Sequence, residues 1–189
     1  FRAADWGYSS PACCLWFAID YDNNLWVYRE LYTQKITADI FARKVLDLES
    51  GEYIRYGVLD ASTWARRGDI GPSIAETMIQ AGCRWRPSDR TGRSRISGKL
   101  EIHKRLKVED KEPGIRIFSN CRNLLRTFPT LPLDDSNPED INTHVEDHAY
   151  DALRYGCMSR PMHTSYANKA FGNSNRTANF VPSDKIFGY

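Results

Sequence analysis

Two aspartates each follow a short apolar run and precede a loop. Asp5 ends the run that starts at Phe1 and is followed by the polar turn of residues 6–11, and Asp60 ends the apolar run of residues 56–59. A carboxylate at the end of a strand lies at a sheet edge, where a ligand can reach it. If the two strands are parallel neighbours, about 5 Å apart, both carboxylates can share one metal ion. Each could instead be a turn-forming aspartate, which is common at strand ends.

A third group of candidate residues lies near the end of the chain, in the sequence VEDHAYDALRYG. Asp147 and Asp151 are four residues apart and would stack on one face of a helix, with His148 nearer the boundary of that face. The simpler alternative is an amphipathic helix whose acids face solvent, with Asp151 paired to Arg154. Asp147 can still reach the strand ends if the helix begins there.

Several carboxylates in one place suit hard divalent cations such as Mg²⁺ and Mn²⁺, which prefer oxygen ligands. Two such ions about 4 Å apart activate a water molecule and stabilise the leaving oxygen in phosphodiester cleavage. Neighbouring carboxylates repel, so without metal one of them should hold its proton more tightly. The predicted cofactors are therefore two divalent cations, Mg²⁺ or Mn²⁺, with these candidate ligands: Asp5, Asp60, Asp147, His148 and Asp151.

Other catalytic chemistries have weaker support in the sequence. His144 and His148 have the spacing of the two histidines in HExxH, but the glutamate is Glu146 rather than the residue after His144. The zinc metalloprotease pattern is therefore not met. The five cysteines form no CxxC pair, which argues against a cysteine-rich zinc site. Serine hydrolase chemistry lacks a GxSxG motif.

The net charge of the 189 residues is only +2, so a role with nucleic acid must rest on where the charges lie. Basic residues are concentrated between the second aspartate and the final helix, where they could grip DNA phosphates beside the acidic site. The residues predicted to contact DNA are Arg90, Arg93, Arg95, Lys99, Lys104 and Arg105. The alternative is an ordinary solvated face.

The order of elements predicts an α/β domain with a mixed sheet flanked by helices. A three-strand antiparallel meander opens the chain, and a later strand ending at Asp60 follows a helix and can lie parallel to the first strand. Residues 87–98 have the composition of a mobile loop, and residues 99–107 are predicted to form a basic helix. A capping box at Thr143 and Glu146 predicts that the final helix begins there.

The predicted domain is residues 1–160, and residues 161–189 are predicted to be a flexible or partner-docking tail. No apolar run reaches the ~18 residues that a membrane span needs.

Three segments taken together resemble the nuclease domain of the large terminase subunit of tailed bacteriophages: FRAADWGYSSPA, VLDAS and EDHAYDALRYG. The resemblance implies an RNase H-like fold and a nuclease that uses two metal ions to cut concatemeric viral DNA at the start and end of genome packaging. By motif, Asp5 is the first metal-binding acid, Asp60 the second and Asp147 the third catalytic acid. His148 and Asp151 belong to the last motif and are alternative ligands there.

The same resemblance implies a set of partners. They are double-stranded DNA, an ATPase domain of the same full-length protein, the portal and the small terminase subunit, with no membrane, in the host cytoplasm. The Walker motif, GxxxxGK followed by Ser or Thr, does not occur in the sequence, as expected of a nuclease half alone.

Two other functions stay open at this point. A transposase, integrase or Holliday-junction resolvase would keep the same polynucleotidyl-transferase fold and change the reaction. A DNA-gripping, portal-docking module would be inactive without its ATPase domain.

Overall fold

The computed structural model describes residues 1–66, 71–108 and 112–162. The predicted tail lies outside these residues from 163 onward, so it stays a prediction. The strands in chain order are β1 (Arg2–Asp5), β2 (Ala12–Ile19), β3 (Leu25–Thr33), β4 (Gly57–Leu59), β5 (Arg86–Pro87) and β6 (Ile115–Ile117). The helices are α1 (Ala38–Leu48), α2 (Ile74–Gln80), α3 (Ser94–Leu106), α4 (Arg122–Thr127) and α5 (His148–Met158), with short 3-10 turns at Ala61–Trp64 and Phe128–Thr130.

The strands form a single mixed sheet in the order β5-β4-β1-β2-β3-β6. β1, β2 and β3 are an antiparallel meander, whereas β4 pairs in parallel with β1, β5 with β4, and β6 with β3. The predicted α/β fold, a three-strand meander extended by parallel strands and flanked by helices, is confirmed. No helix in the described ranges has both the length and the apolar character needed to cross a bilayer.

The sheet is covered on both faces because its central strand is apolar on both. Side chains of successive residues in a strand point to opposite faces. Leu15 and Phe17 of β2 therefore belong to the core beneath α5, α3 and α4, and Trp16 belongs to the core beneath α1 and α2. All three are almost completely buried.

Two glycines allow α5 to lie close to its neighbours. A Cβ atom added to Gly156 of α5 would lie 2.4 Å from Cζ of Phe17, and one added to Gly98 of α3 would lie 2.4 Å from Cγ of Arg154. Residues from Ala149 to Cys157 are consequently buried around the whole circumference of the helix. α5 is thus held between β2 and α3, with its first turn at one edge of the sheet.

Two predicted helix starts are wrong by five residues, in opposite directions. α3 begins at Ser94, inside the predicted mobile loop, because tertiary contacts such as that of Gly98 with Arg154 override local composition. α5 begins at His148 rather than Thr143, because the Glu146 carboxylate does not cap the helix. It accepts hydrogen bonds from other parts of the chain instead, the Tyr32 hydroxyl at 2.5 Å and the Arg126 guanidinium at 2.5 and 3.0 Å.

Substitution of Gly156 by Ala tests the close approach of α5 to the sheet. Overpacking of this kind costs about 1–3 kcal/mol, whereas Ala gains about 1 kcal/mol over Gly in a helix. Because the added Cβ would lie within 2.9 Å of three ring atoms of Phe17, we take the upper part of that cost, about 2–3 kcal/mol. We therefore expect Gly156→Ala to lower the free energy of unfolding, measured by urea denaturation, by a net ~1–2 kcal/mol. Gly92→Ala is the matched control, because its added Cβ meets no atom within 4 Å. Equal stability of Gly156→Ala and wild type would contradict the proposed contact.

Candidate active site at the sheet edge

Asp5 and Asp60 leave neighbouring parallel strands at the same edge of the sheet. Ala4 of β1 lies opposite Leu59 of β4, and the Asp60 backbone N–H donates to the Ala4 carbonyl at 3.1 Å. Because side chains alternate along a strand, Asp60 shares its face with Val58, which belongs to the core beneath α5. Both acids therefore come from strand ends that α5 covers. The parallel pairing of their strands is the one that the sequence predicted.

The first turn of α5 adds three more predicted residues at this edge. Nδ1 of His148 lies 2.8 Å from Oδ2 of Asp5. Asp147 occupies the N-cap position and Asp151 lies in the first turn, and both are buried. Arg154 donates from Nε to Oδ1 of Asp151 at 3.0 Å. The alternative of an amphipathic helix with solvent-facing acids is wrong, although the Asp151–Arg154 pair that it contained does form.

Tyr155 is a site residue that the sequence did not single out. Its hydroxyl donates to Oδ1 of Asp60 at 3.3 Å, and burial raises the pKa of Tyr155, so the hydroxyl keeps its proton. The Ser62 backbone N–H donates to the same oxygen at 3.1 Å. Tyr155 lies four residues after Asp151, on the same helical stripe, and this spacing is the one sequence signal that could have identified it.

The negative charges of the carboxylates are only partly offset by neighbouring positive groups and hydrogen-bond donors. Burial, together with the charges of Asp151 and Asp60, raises the pKa of Asp5 to about 6, although the hydrogen bond from His148 opposes the shift. Burial and the nearby charges of Asp151 and Asp5 likewise raise the pKa of Asp147 to about 6. The hydrogen bond with Asp5 raises the pKa of His148 above its ordinary value. The predicted stronger proton binding therefore applies to two of the acids.

Arg95 of α3 lies among the same acids instead of facing solvent. Its nitrogens are 2.8 Å from Asp140, 3.4 Å from Asp151 and 3.9 Å from Asp147. Within the described ranges, no three His, Cys, Asp or Glu side chains stand in an arrangement that could hold a metal ion. Instead, His148 lies against Asp5, and Arg95 lies among Asp140, Asp147 and Asp151.

The other predicted DNA-binding residues fall into three groups. Arg93 and Lys104 are exposed, and Arg90 is exposed while its guanidinium donates to the Ala61 carbonyl. Lys99 is half-buried and donates to the carbonyls of residues 138 and 139. Arg105 is completely buried and donates to the backbone carbonyls of residues 23, 114 and 160. The prediction that Arg105 contacts DNA is therefore wrong, because its charge is used to hold the fold together.

Comparison with solved structures agrees with the architecture. The nuclease domain of the P22 large terminase superposes with a TM-score of 0.62 at 18% identity, covering 84% of this chain and 79% of that domain. The nuclease domain of the large terminase from bacteriophage SPP1, solved with bound Mn, gives a TM-score of 0.59 at 19% identity, with 82% of each chain covered. The fold predicted from the sequence resemblance, that of terminase nuclease domains, is confirmed.

A larger relative is covered only in part. The large terminase of a thermophilic bacteriophage, solved in complex with ATP-gamma-S, gives a TM-score of 0.66 at 12% identity. The match covers 82% of this chain and 38% of the terminase, so this chain corresponds to less than half of that protein. No model of a protein family matches the chain, and no curated protein sequence matches it significantly.

The raised pKa of Asp147 has a consequence for stability that can be measured. In the folded protein this carboxyl keeps its proton to about pH 6, whereas its ordinary pKa is 3.8. The folded state therefore binds more protons between these values, and this contribution to stability falls as the pH rises from about 4 to 6. With a chelator present, we expect Asp147→Asn to be more stable than wild type by up to about 3 kcal/mol at pH 7.5, and by only about 1 kcal/mol at pH 4.5.

The measurement is urea denaturation of both proteins at the two pH values, with EDTA present. Asp135→Asn is the control, because Asp135 is exposed in the loop before α5 and should show no such pH-dependent gain. If wild type were more stable than Asp147→Asn at pH 7.5, the negative charge of Asp147 would stabilise the folded state, and the prediction would be wrong.

Proposed function

We propose that the domain is a metal-dependent DNA endonuclease that cuts concatemeric viral DNA during genome packaging, as the nuclease part of a large terminase. The convergence of Asp5, Asp60, Asp147, His148 and Asp151 at one sheet edge carries this proposal. The fold, which terminase nuclease domains share, supports it.

The residues at the edge fit divalent cations by their chemistry. They are mainly carboxylates, and burial with mutual repulsion raises the pKa of Asp5 and Asp147, so added positive charge would stabilise them. Carboxylate oxygens are the ligands that Mg²⁺ and Mn²⁺ prefer. When bound, two such ions supply an activated water molecule and stabilise the leaving oxygen of the phosphodiester.

Most of the proposed ligands are oriented by a neighbouring side chain. Asp5 and Asp60 would hold the ions from the strand ends, with Tyr155 fixing the Asp60 carboxylate through its hydroxyl. Asp147, whose Oδ2 lies 3.9 Å from Nη2 of Arg95, is the proposed third acid, and Asp151 and His148 are the alternatives. Because Nδ1 of His148 faces Asp5, Nε2 is the atom left to bind an ion or accept a proton.

The proposed substrate is duplex DNA, and the exposed basic residues lie where they could reach it. Arg90 and Arg93 precede α3, whose first turn reaches the acids through Arg95. Lys104 extends the positive surface three turns along the helix. Contacts of this kind bind phosphates and carry no base specificity, which suits an enzyme that cuts with weak or no sequence preference.

The larger structure supports one proposed partner, an ATPase domain, and the sequence resemblance suggests the others. The chain spans 38% of a terminase that was solved with ATP-gamma-S. We propose that an ATPase domain of the same full-length protein drives DNA past this site, that the portal and the small terminase subunit dock on the assembly, and that it works in the host cytoplasm.

Removal of the strand-borne acids tests the catalytic assignment. In Mn²⁺, the wild-type domain should nick and linearise supercoiled plasmid, and Asp5→Asn or Asp60→Asn should cut at least ~100-fold more slowly, since loss of even outer-shell partners costs about 10–100-fold. Asp47→Asn removes an exposed carboxylate from α1, on the other face of the sheet, and should leave cleavage unchanged. Thermal unfolding of each variant checks that the fold is intact.

The products of the same assay separate this function from the two alternatives. Strand-transfer products with a defined end sequence would favour a transposase, integrase or resolvase. Salt-sensitive binding of duplex DNA without cleavage in any divalent cation would favour a DNA-gripping module that is silent alone. Full cleavage by Asp5→Asn would remove the proposed metal site altogether.

Removal of one exposed lysine tests the DNA surface separately from catalysis. Each phosphate contact contributes about 0.9 to the slope of log K against log salt. We expect Lys104→Gln to reduce that slope by about 0.9 for a duplex in EDTA, measured by fluorescence anisotropy. Lys44→Gln changes the same charge on the exposed side of α1 and should keep the wild-type slope. Equal slopes for both variants would place Lys104 outside the DNA surface.

A further inference from the structure

Arg95 is surrounded by three carboxylates that come from two parts of the chain. Its Nε donates to Oδ2 of Asp140 at 2.8 Å, Nη1 lies 3.4 Å from Oδ2 of Asp151, and Nη2 lies 3.9 Å from Oδ2 of Asp147. Nη2 is buried and has no hydrogen-bond acceptor. The side chain is 31% exposed. Arg95 is thus held to Asp140 by a short hydrogen bond, and its contacts with Asp151 and Asp147, at the candidate site, are longer.

The firm partner, Asp140, is carried by a folded segment and not by the site itself. An isolated bridge pairs Leu133 with Ile141 and closes this segment. One turn further along α3, Lys99 donates to the carbonyls of residues 138 and 139, at 3.4 and 3.0 Å. Both side chains therefore attach α3 to the segment, whereas only Arg95 also reaches carboxylates that would bind metal.

We propose that Arg95 is an exchangeable counter-ion of the active site. Without a divalent ion it neutralises Asp147 and Asp151, and a bound ion competes with it for the same two carboxylates. Asp140 retains Arg95 when it is displaced. The inference rests on the proposed metal-dependent function, which it extends by naming a residue that sets the ion affinity.

The physical reason is the closeness of like charges. A guanidinium cannot lose its proton in a protein, so Arg95 stays positive at every working pH and repels any cation that binds beside it. Opposite charges about 4 Å apart interact by several kcal/mol near a protein surface, so an ion can bind only if it outweighs that attraction. Removal of the Arg95 charge should therefore tighten ion binding.

Titration with Mn²⁺ in the absence of DNA, followed by isothermal calorimetry, measures the competition directly. We expect Arg95→Gln to bind Mn²⁺ about tenfold more tightly than wild type. A factor of this size is typical when two ligands affect each other's affinity. Lys99→Gln is the matched control, because it removes the same charge one turn further along α3. The hydrogen bonds that Lys99 donates in the described structure go to backbone carbonyls of the segment. It should change the affinity less than about twofold.

Each result has a defined meaning. Equal or weaker Mn²⁺ binding by Arg95→Gln, with cleavage activity retained in wild type, would overturn the exchange and leave the proposed function intact. An equal gain in Lys99→Gln would overturn it too, because general charge would then explain the effect. Absence of Mn²⁺ binding in every protein would overturn the metal-dependent function, and the exchange with it.

A measurement on the wild-type protein covers the case in which Arg95→Gln fails to fold. The Nε–H of Arg95 is bonded to Asp140 and gives an arginine side-chain NMR signal that can be assigned by its loss in Arg95→Lys. Under the proposal, titration with diamagnetic Mg²⁺ shifts this signal with the same midpoint as ion binding. An Arg95 signal that stays unchanged at saturating Mg²⁺ would overturn the proposal.

Discussion

The burial of several like charges at one sheet edge is the constraint to which the rest of the site responds. The parallel pairing of β1 with β4 brings Asp5 and Asp60 together, and the start of α5 adds two further carboxylates. In a medium of low dielectric constant such charges repel strongly. The surrounding side chains that offset this repulsion are His148, Arg154, Tyr155 and Arg95. They do so incompletely, since the pKa of Asp5 and of Asp147 is raised to about 6.

The opposite end of β1 carries a buried charge of a different kind, one that has an ionic partner. Arg2 is as buried as the acids, but Glu49 accepts two hydrogen bonds from its Nη1, at 2.7 and 2.6 Å. Trp16 donates to the same carboxylate at 2.7 Å, and Arg2 Nη2 donates to the Arg84 carbonyl at 2.7 Å. Removal of one partner of such a buried ion pair would leave an uncompensated buried charge, which is strongly destabilising. The same strand therefore carries a buried charge with an ionic partner at one end and a cluster of like charges at the other.

The positions of the acids on the strands were predictable from the local sequence. For the acids on the helix, the sequence identified the residues but not their burial. Asp5 and Asp60 were found because each ends an apolar run, and a helical crossover allows such strands to be parallel neighbours. The burial of Asp151 was not predictable, since helical periodicity placed it opposite the apolar stripe. It is buried because α3 covers α5 through the contact of Gly98 with Arg154, and such a long-range contact leaves no periodic signal in the sequence.

The basic segment shows why charge counts overstate a nucleic-acid surface. Along α3 the positive side chains divide between two faces of one helix. Arg95 and Arg105 point into the protein, where one lies among acids and the other holds backbone carbonyls, including that of Arg160. Glu101, on the same inner face, accepts a hydrogen bond from the backbone N–H of Met162 at 2.6 Å. If the domain binds DNA as proposed, the charges on the outer face are the ones that can release counter-ions and set the salt dependence of its affinity. In that proposal the inner charges act on DNA indirectly, by fixing the helix that presents the outer ones.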